Sequence, residues 1–204
     1  MCPSSSIFTS EGCSSCPPAD KLLIELIGKQ PIKGALVIGI GEHVDYWDHQ
    51  GWKEPFSDRL FSQRQTVYAN AGGSNDIYTP QIIVDGIDAV VGHDRRAVFD
   101  AIRRAAGRKK PAIALEWSAD TAKLAVTVGK SRDTADATVF LAITEDGLRT
   151  SVKRGENAGR TLDHAAVARR LTQVGKTDSD GAFTGAVPLA LAPGWNRQAL
   201  RIVV

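Results

Sequence analysis

Apolar residues in the first half of the chain follow two alternating patterns. Three stretches show the three- and four-residue spacing of an amphipathic helix, and four short apolar runs have the length of strands. The helical faces consist of Leu22, Leu23, Leu26 and Ile27, then Leu60, Phe61, Val67 and Tyr68, then Ala97, Val98, Ala101, Ile102 and Ala105. The runs are residues 7–9, 35–40, 81–84 and 87–91. Their order predicts a β-α-β-α-β-β-α arrangement, an α/β fold with helices on both faces of a sheet.

Turn and cap residues mark the ends of these predicted elements. Asp85-Gly86 between two apolar runs is a strong hairpin signal. Pro17-Pro18 fits the first turn of the first helix, for which Ser14 or Ser15 is available as N-cap. The second and third helices follow the candidate N-caps Ser57 and Asp94. Local signals therefore agree with the predicted element order.

The second half of the chain contains short apolar runs separated by turns. These runs are residues 112–117, 122–128, 138–144, 148–152, 183–191 and 198–204. Six or seven short strands between turn signals predict an antiparallel, β-sandwich-like domain. We therefore expect two domains, a first of residues 1–110 and a β-rich second of residues 111–204. Residues 153–160 are predicted to form a loop between strands, with an anion site or a domain contact as alternatives.

Composition limits the classes of function that fit this chain. Its 204 residues are 43% hydrophobic and 24% charged, which is typical of a soluble globular protein. The net charge of +2 lacks the basic excess that nucleic-acid phosphates require, so we expect no nucleic-acid partner. No apolar run approaches the roughly 18–20 residues needed to span a bilayer, and no signal-peptide pattern is visible at the start.

Two of the three cysteines, Cys13 and Cys16, lie where the first strand meets the first helix. Free N–H groups at a helix start favour a thiolate, and the spacing allows a small disulfide ring. This context favours a redox dithiol in which Cys13 attacks and Cys16 resolves. Two alternatives for this cysteine pair are open. It is half of a metal site, or it is a turn that merely carries two cysteines. Cys2 is the spare cysteine.

Thr79-Pro80 comes directly before the third predicted strand. A proline at such a strand entry is a candidate for a cis peptide bond. Because the third strand is predicted to run antiparallel to the first, its beginning lies beside the cysteines. We expect Pro80 to shape a substrate groove there, with the Thr79 backbone free to pair with a peptide or thiol substrate.

A polar and aromatic segment, EHVDYWDH at residues 42–49, follows the second predicted strand. That strand is predicted to be parallel to the first, so its end faces the same sheet edge as the cysteines. In one interpretation, His43, Asp45, Tyr46 and Trp47 line the redox site, where the first two tune the thiolate or pass protons.

Two other interpretations of this segment are open. In the second, His43 joins Cys13 and Cys16 around copper or zinc. In the third, the segment is structural, and its polar groups satisfy backbone while three aromatic residues pack the loop down. Those residues are Trp47, Trp52 and Phe56.

The predicted order of elements, with a CxxC pair and Thr-Pro, is similar to the thioredoxin fold. Four segments, FTSEGCSSCPPAD, HVDYWDHQGWKEPFS, YTPQIIVDG and RGENAGRTL, resemble a bacterial thioredoxin-like family, often exported, of unassigned function. The resemblance runs from about residue 7 to at least residue 162 and implies a thioredoxin-like domain followed by a β-rich domain. It also implies a periplasmic or secreted location.

The start of the chain departs from this family pattern. Family members usually have an apolar first strand, whereas this chain has Ser4-Ser5-Ser6. A polar triplet fits a central strand poorly, so we expect either a short first strand or a start that is not native.

Together, these features favour a thiol–disulfide oxidoreductase without a cofactor. Its partner would be a protein or a small molecule that carries a thiol or disulfide. The first alternative is a copper or zinc metallochaperone built on Cys13, Cys16 and His43. The second is a binding protein with a static disulfide, in which the β-rich half recognises the partner.

Overall fold

The computed structural model of the chain describes residues 2–119 and 122–204. In chain order the elements are β1 Ser4–Thr9, α1 Pro17–Lys29, β2 Ile38–His43, α2 Arg59–Ala71, β3 Gln81–Val84, β4 Asp88–Val91, α3 Arg95–Ala106, β5 Ile113–Ser118, β6 Lys123–Val128, β7 Thr138–Glu145, β8 Leu148–Ser151, β9 Thr161–His164, β10 Val167–Lys176, β11 Phe183–Pro188 and β12 Leu200–Val203. The protein is therefore mixed α/β, and its first half has the predicted order of strands and helices.

The chain divides into two units that differ from the predicted domains 1–110 and 111–204. Unit 1 contains the chain up to Arg108 together with Thr144–Arg169, and unit 2 contains Lys109–Ile143 and Arg170–Val204. Residues 144–169 join unit 1 because they pack and hydrogen-bond there. Val167, the first residue of β10, pairs in parallel with Gly41 of β2. A single boundary near residue 110 is thus too simple.

Strand β1 lies inside the mixed sheet of unit 1, in which the order is β2-β1-β3-β4 and Val167, at the start of β10, lies beside β2. It pairs in parallel with β2, where Thr9 is opposite His43, and antiparallel with β3, where Phe8 is opposite Gln81. Strands β3 and β4 form the predicted hairpin, with Asp85 and Gly86 at positive φ. The ends of β1 and β2 and the start of β3 therefore share one edge of the sheet.

The polar start of β1 is part of the strand, contrary to the expectation of a short strand. Ser4, Ser5 and Ser6 pair with residues 38–40 of β2, and Ser5 and Ser6 also pair with β3. Backbone groups form these ladders on both sides, so the side chains do not have to be apolar. The Ser6 hydroxyl also has a partner, because it hydrogen-bonds to the carboxylate of Glu42.

Helices cover both faces of this sheet. Ile7 belongs to the larger core, which it shares with apolar residues of α1 and α3 such as Leu26 and Ile102. The next residue, Phe8, belongs to a smaller cluster with Ile83 that packs against Tyr68 of α2. Successive side chains of a strand point to opposite faces, so these two residues separate the two cores.

Helix starts agree with the prediction at one position and differ at two. Asp94 caps α3 as predicted, because its side chain accepts a hydrogen bond from the Ala97 N–H at 3.0 Å. Helix α2 is capped by Asp58 instead of Ser57, whose hydroxyl donates to Asp48 at 2.8 Å. Helix α1 starts at Pro17 with Cys16 in the N-cap position, without a serine cap. Prolines need no N–H partner there, so the first turn tolerates this start.

Unit 2 is built from strands and short turns. Strands β5, β6 and β11 form an antiparallel sheet with β6 in its centre, and β12, β7 and β10 are hydrogen-bonded in that order. Leu124 and Val126 of β6 pack with Leu141 and Ile143 of β7 in the core of this unit. The predicted strand at residues 148–152 belongs to unit 1, where β8 pairs with β9. None of the helices in the described part of the chain is long and apolar enough to cross a membrane.

Candidate active site

Cys13 and Cys16 form a disulfide at the junction of β1 and α1, with their Cα atoms 5.5 Å apart. The turn is held by its own backbone, since the Cys13 N–H donates to the Ser10 carbonyl and the Cys16 N–H donates to the Cys13 carbonyl, each at 3.2 Å. Both cysteines are buried, with 1% and 0% of their surface exposed. In this state the sulfurs have almost no contact with solvent.

Residues 154–160, which we call the cover loop, lie against the cysteine turn. The Ser14 N–H donates to Glu156 Oε2 at 2.9 Å. The buried Asn157 side chain donates through Nδ2 to the Glu11 carbonyl at 2.9 Å and to the Cys13 carbonyl at 2.8 Å. The cover loop joins β8 to β9, as predicted for a loop between strands. Its hydrogen bonds to the backbone of residues 11–14 hold it against the cysteine turn.

Thr79, Pro80 and Trp47 lie on another side of the same turn. The Thr79–Pro80 peptide bond is cis, as predicted. Trp47 Nε1 donates to Thr79 Oγ1 at 2.8 Å. A Cβ placed on Gly12 would lie 3.2 Å from the Trp47 Cβ, so the indole side chain starts close to the residue before Cys13. The structure therefore connects Trp47 both to Thr79 and to the cysteine turn.

Pro80 is connected to α1 through Gly92. A Cβ at Gly92 would lie 3.0 Å from the Ala19 Cβ and 3.1 Å from the Pro80 Cβ. A larger residue at position 92 would push these neighbours apart, and Ala19 lies three residues after Cys16. Pro80 is thus packed near the helix that carries the disulfide.

Tyr46 and Asp45 are bound to α2. The Tyr46 hydroxyl donates to Gln65 Oε1 at 3.1 Å, and burial raises the pKa of Tyr46 to about 12. The phenol therefore keeps its proton at neutral pH. The Ser62 hydroxyl donates to Asp45 Oδ1 and accepts from the Asp45 N–H. These contacts fix the segment that carries Trp47.

His43 lies in a buried group of ionisable side chains. Its Nδ1 is 3.2 Å from Glu54 Oε1, and its ring centroid is 5.0 Å from that of His164. Burial alone would lower the pKa of His43, but the Glu54 carboxylate, helped by Asp20 and Glu11, raises it. Of the charges that act on His43, Glu54 has the largest effect.

Glu11 connects this group to the cysteine turn. Its Oε2 accepts a hydrogen bond from Trp52 Nε1 at 2.8 Å, and its Oε1 lies 3.2 Å from His164 Nε2. Burial opposes ionisation, but the neighbouring side chains of His164, Thr150 and Trp52 lower the pKa of Glu11. The Glu11 N–H donates to Glu54 Oε2. Glu11 thus contacts both the cover loop and the buried group.

Asp20 completes the buried ionisable cluster, by which we mean Glu11, Asp20, His43, Glu54 and His164. Burial raises the pKa of Asp20, although His43, His164 and Thr9 favour its ionised form. Asp20 lies one helical turn after Cys16, whose carbonyl accepts the Asp20 N–H at 3.1 Å. A narrow cavity without room for a water molecule separates Asp20 from the two histidines. Asp20 and the two histidines therefore line one narrow internal space.

The metal hypothesis required Cys13, Cys16 and His43 to surround one ion. Across residues 2–119 and 122–204, no group of three or more His, Cys, Asp or Glu side chains is arranged to hold a metal ion. His43 faces Glu54 and His164, while the cysteines are bonded to each other.

Sequence reasoning missed several residues around the disulfide. They are Glu11, Asp20, Glu54, Asn157 and His164. Glu11 and Asp20 flank the cysteines inside FTSEGCSSCPPAD, and Asn157 lies inside RGENAGRTL. For Glu11, Asp20 and Asn157, their position inside these family motifs was the signal that could have identified them. Spacing along the chain did not indicate that they meet.

The fold and this edge define an α/β protein with a disulfide at a helix start, enclosed by a loop and buried charges. The chain belongs to the family described as "Protein of unknown function (DUF1223)", whose family model matches residues 6–204. A protein from Agrobacterium tumefaciens, a structural-genomics target solved by X-ray crystallography, is similar. It is 29% identical with a TM-score of 0.74, over 91% of this chain and 78% of that one. No curated protein matches the chain.

We expect Asn157→Ala to expose the disulfide, because alanine lacks both hydrogen bonds that attach the cover loop to residues 11–13. The rate of reduction by neutral dithiothreitol in native buffer should rise about tenfold or more, given the usual strength of two such bonds. Alkylation of the released thiols measures this rate. Asn70→Ala, at an exposed position of α2, is the matched control, and an unchanged rate in Asn157→Ala would contradict the covering role.

We expect Glu54→Gln to lower the pKa of His43, because glutamine keeps an oxygen but removes the negative charge. A raised histidine pKa stabilises the fold below its ordinary value of about 6.5, and this contribution is lost as pH rises through the folded-state pKa. The variant should therefore lose more stability at about pH 5.5 than at about pH 9.

Titration of the His43 ring protons by NMR checks the shift directly. Glu25→Gln removes an equal charge from α1 and serves as the control. An identical His43 midpoint in wild type and Glu54→Gln would show that Glu54 does not control this histidine.

Proposed function

We propose that the protein is a thiol–disulfide oxidoreductase whose unit 1 is a thioredoxin-like domain. The observation that carries this proposal is the Cys13–Cys16 disulfide at a helix start, on the sheet edge that also bears Thr79 and Pro80. Parallel β1 and β2, antiparallel β3, the β3–β4 hairpin and helices on both faces support the domain assignment.

In the proposed reaction, a substrate thiolate attacks Cys13 Sγ and breaks the Cys13–Cys16 bond. A mixed disulfide with Cys13 forms, and Cys16 leaves as a thiolate that takes up a proton. A second substrate thiolate then attacks the substrate sulfur and releases Cys13 as a thiolate. Two electrons pass from the substrate thiols to the protein, so the substrate thiols are oxidised to a disulfide. The reverse sequence reduces a substrate disulfide and re-forms the Cys13–Cys16 bond.

Neighbouring groups support these roles. The Ser15 hydroxyl lies 3.3 Å from Cys13 Sγ, where it is placed to stabilise a thiolate. Asp20 follows Cys16 by one turn, and burial raises its pKa, so it holds a proton at higher pH than an exposed aspartate. We assign Asp20 as the proton donor to the departing Cys16 thiolate. We assign Trp47 and Thr79 as residues that contact the substrate.

A static disulfide is the second candidate, and the burial of both cysteines favours it. In that case the bond would fix the turn, and recognition would belong to the β-rich part. An oxidising compartment, periplasmic or extracellular, suits both candidates, because disulfides persist there.

Variants with a single active-site cysteine test the proposed function. In a Cys2→Ser background, which removes the exposed free thiol, Cys16→Ser leaves Cys13 and Cys13→Ser leaves Cys16. We expect Cys13 to form a mixed disulfide with an aromatic disulfide at least about tenfold faster than Cys16, because the attacking thiol is the activated one. Equal rates, no faster than global unfolding, would support the static disulfide.

A further inference from the structure

An open groove runs beside the disulfide, between the first half of α1 and the start of β9. It has a volume of about 500 Å³, within the range of small-molecule sites. Pro17, the residue directly after Cys16, marks its end nearest the disulfide. The remaining lining residues are Asp20, Lys21, Ile24, Arg160, Thr161, Leu162 and Asp163. All of them belong to unit 1.

The charged residues of the groove favour an anionic ligand. Lys21 and Arg160 are exposed cations on opposite walls. The carboxylate of Asp163 is paired with Arg149, whose Nε lies 2.9 Å away. Asp20 is buried, which disfavours its charged form. The positive end of α1 adds to the same field, so the groove attracts negative charge.

Arg160 connects the groove to the cover of the disulfide. Its Nη1 donates to Asn157 Oδ1 at 2.7 Å, and Asn157 in turn donates to the Cys13 carbonyl. A carboxylate that binds the Nη1 edge of the Arg160 guanidinium competes with Asn157 for that donor. Binding in the groove would therefore loosen the side chain that holds the cover loop against Cys13.

We propose that this groove binds a small thiol or disulfide that carries carboxylate groups, and that this molecule exchanges with Cys13–Cys16. The proposal rests on the proposed oxidoreductase function and names its substrate class. The ligand carboxylate pairs with Lys21 and Arg160 and releases Asn157, and the ligand sulfur then reaches Cys13.

The exchange is balanced without a further reagent. Two molecules of the thiol lose two electrons and become one disulfide, while the Cys13–Cys16 bond is replaced by two thiols. The first thiolate forms the mixed disulfide with Cys13, and the second breaks it. The two protons released by the ligand thiols end on the protein sulfurs.

Reduction rates with matched thiols test the proposal. We compare 3-mercaptopropionate, which carries a carboxylate, with neutral 2-mercaptoethanol, and correct both rates for thiol pKa. The wild type should prefer the carboxylate thiol about fivefold or more, the size of one or two exposed ion pairs. Lys21→Gln should remove most of this preference. Lys29→Gln, at the far end of α1, should keep it.

Arg160→Gln gives a second, separable result. It should abolish the carboxylate preference and also accelerate the neutral thiol, because Asn157 loses its partner in the cover loop. A preference that survives both Lys21→Gln and Arg160→Gln, or that disappears equally in Lys29→Gln, would overturn the groove as the substrate site.

A redox-inert probe separates the two proposals. We use 3,3′-thiodipropionate, a dicarboxylate thioether that cannot exchange, and expect it to shift the NMR signals of Lys21, Ile24 and Thr161 in the wild type but not in Lys21→Gln. No shift would overturn the groove assignment even if thiols reduce the disulfide. Failure of every thiol to reduce the native protein would instead contradict the oxidoreductase function.

Discussion

The central position of β1 is the constraint on which the site depends. Strand β1 pairs in parallel with β2 and antiparallel with β3. The ends of β1 and β2 and the start of β3 therefore meet at one edge of the sheet. Chain segments separated by tens of residues therefore deliver Cys13, His43 and Pro80 to the same region. Helix α1 starts directly after the cysteine pair, with Cys16 in its N-cap position, so the positive end of the helix lies where it favours a thiolate.

The interior behind this edge is unusually rich in charge. Taking a carboxylate or an imidazolium out of water is costly unless a partner compensates. Here the compensation is mutual, because Glu54 faces His43 and Glu11 faces His164, each pair 3.2 Å apart. Removing one partner leaves the other buried and unpaired. Glu11 also contacts the cover loop, because its backbone carbonyl accepts a hydrogen bond from Asn157.

Local patterns predicted the elements well and the site only in part. Helical spacing, Asp85-Gly86 and Asp94 act within a few residues, so the sequence alone was sufficient to locate the helices and the hairpin. Cys13, Cys16 and Pro80 were identifiable because their chemistry is unusual. The cover loop was not, because Asn157 meets Cys13 across more than 140 positions. Contacts of that range depend on which strands pair, as the return of residues 144–169 to unit 1 shows.

The equilibrium between the dithiol and the disulfide tests the central claim most directly. The protein, with Cys2 replaced by serine, is equilibrated in thiol–disulfide buffers, and the trapped fraction of reduced Cys13 and Cys16 is measured by mass spectrometry. We predict a reversible transition at a potential between about −120 and −270 mV, the range of known oxidoreductases. A bond that stays oxidised beyond about −300 mV would mark a static disulfide and contradict the account.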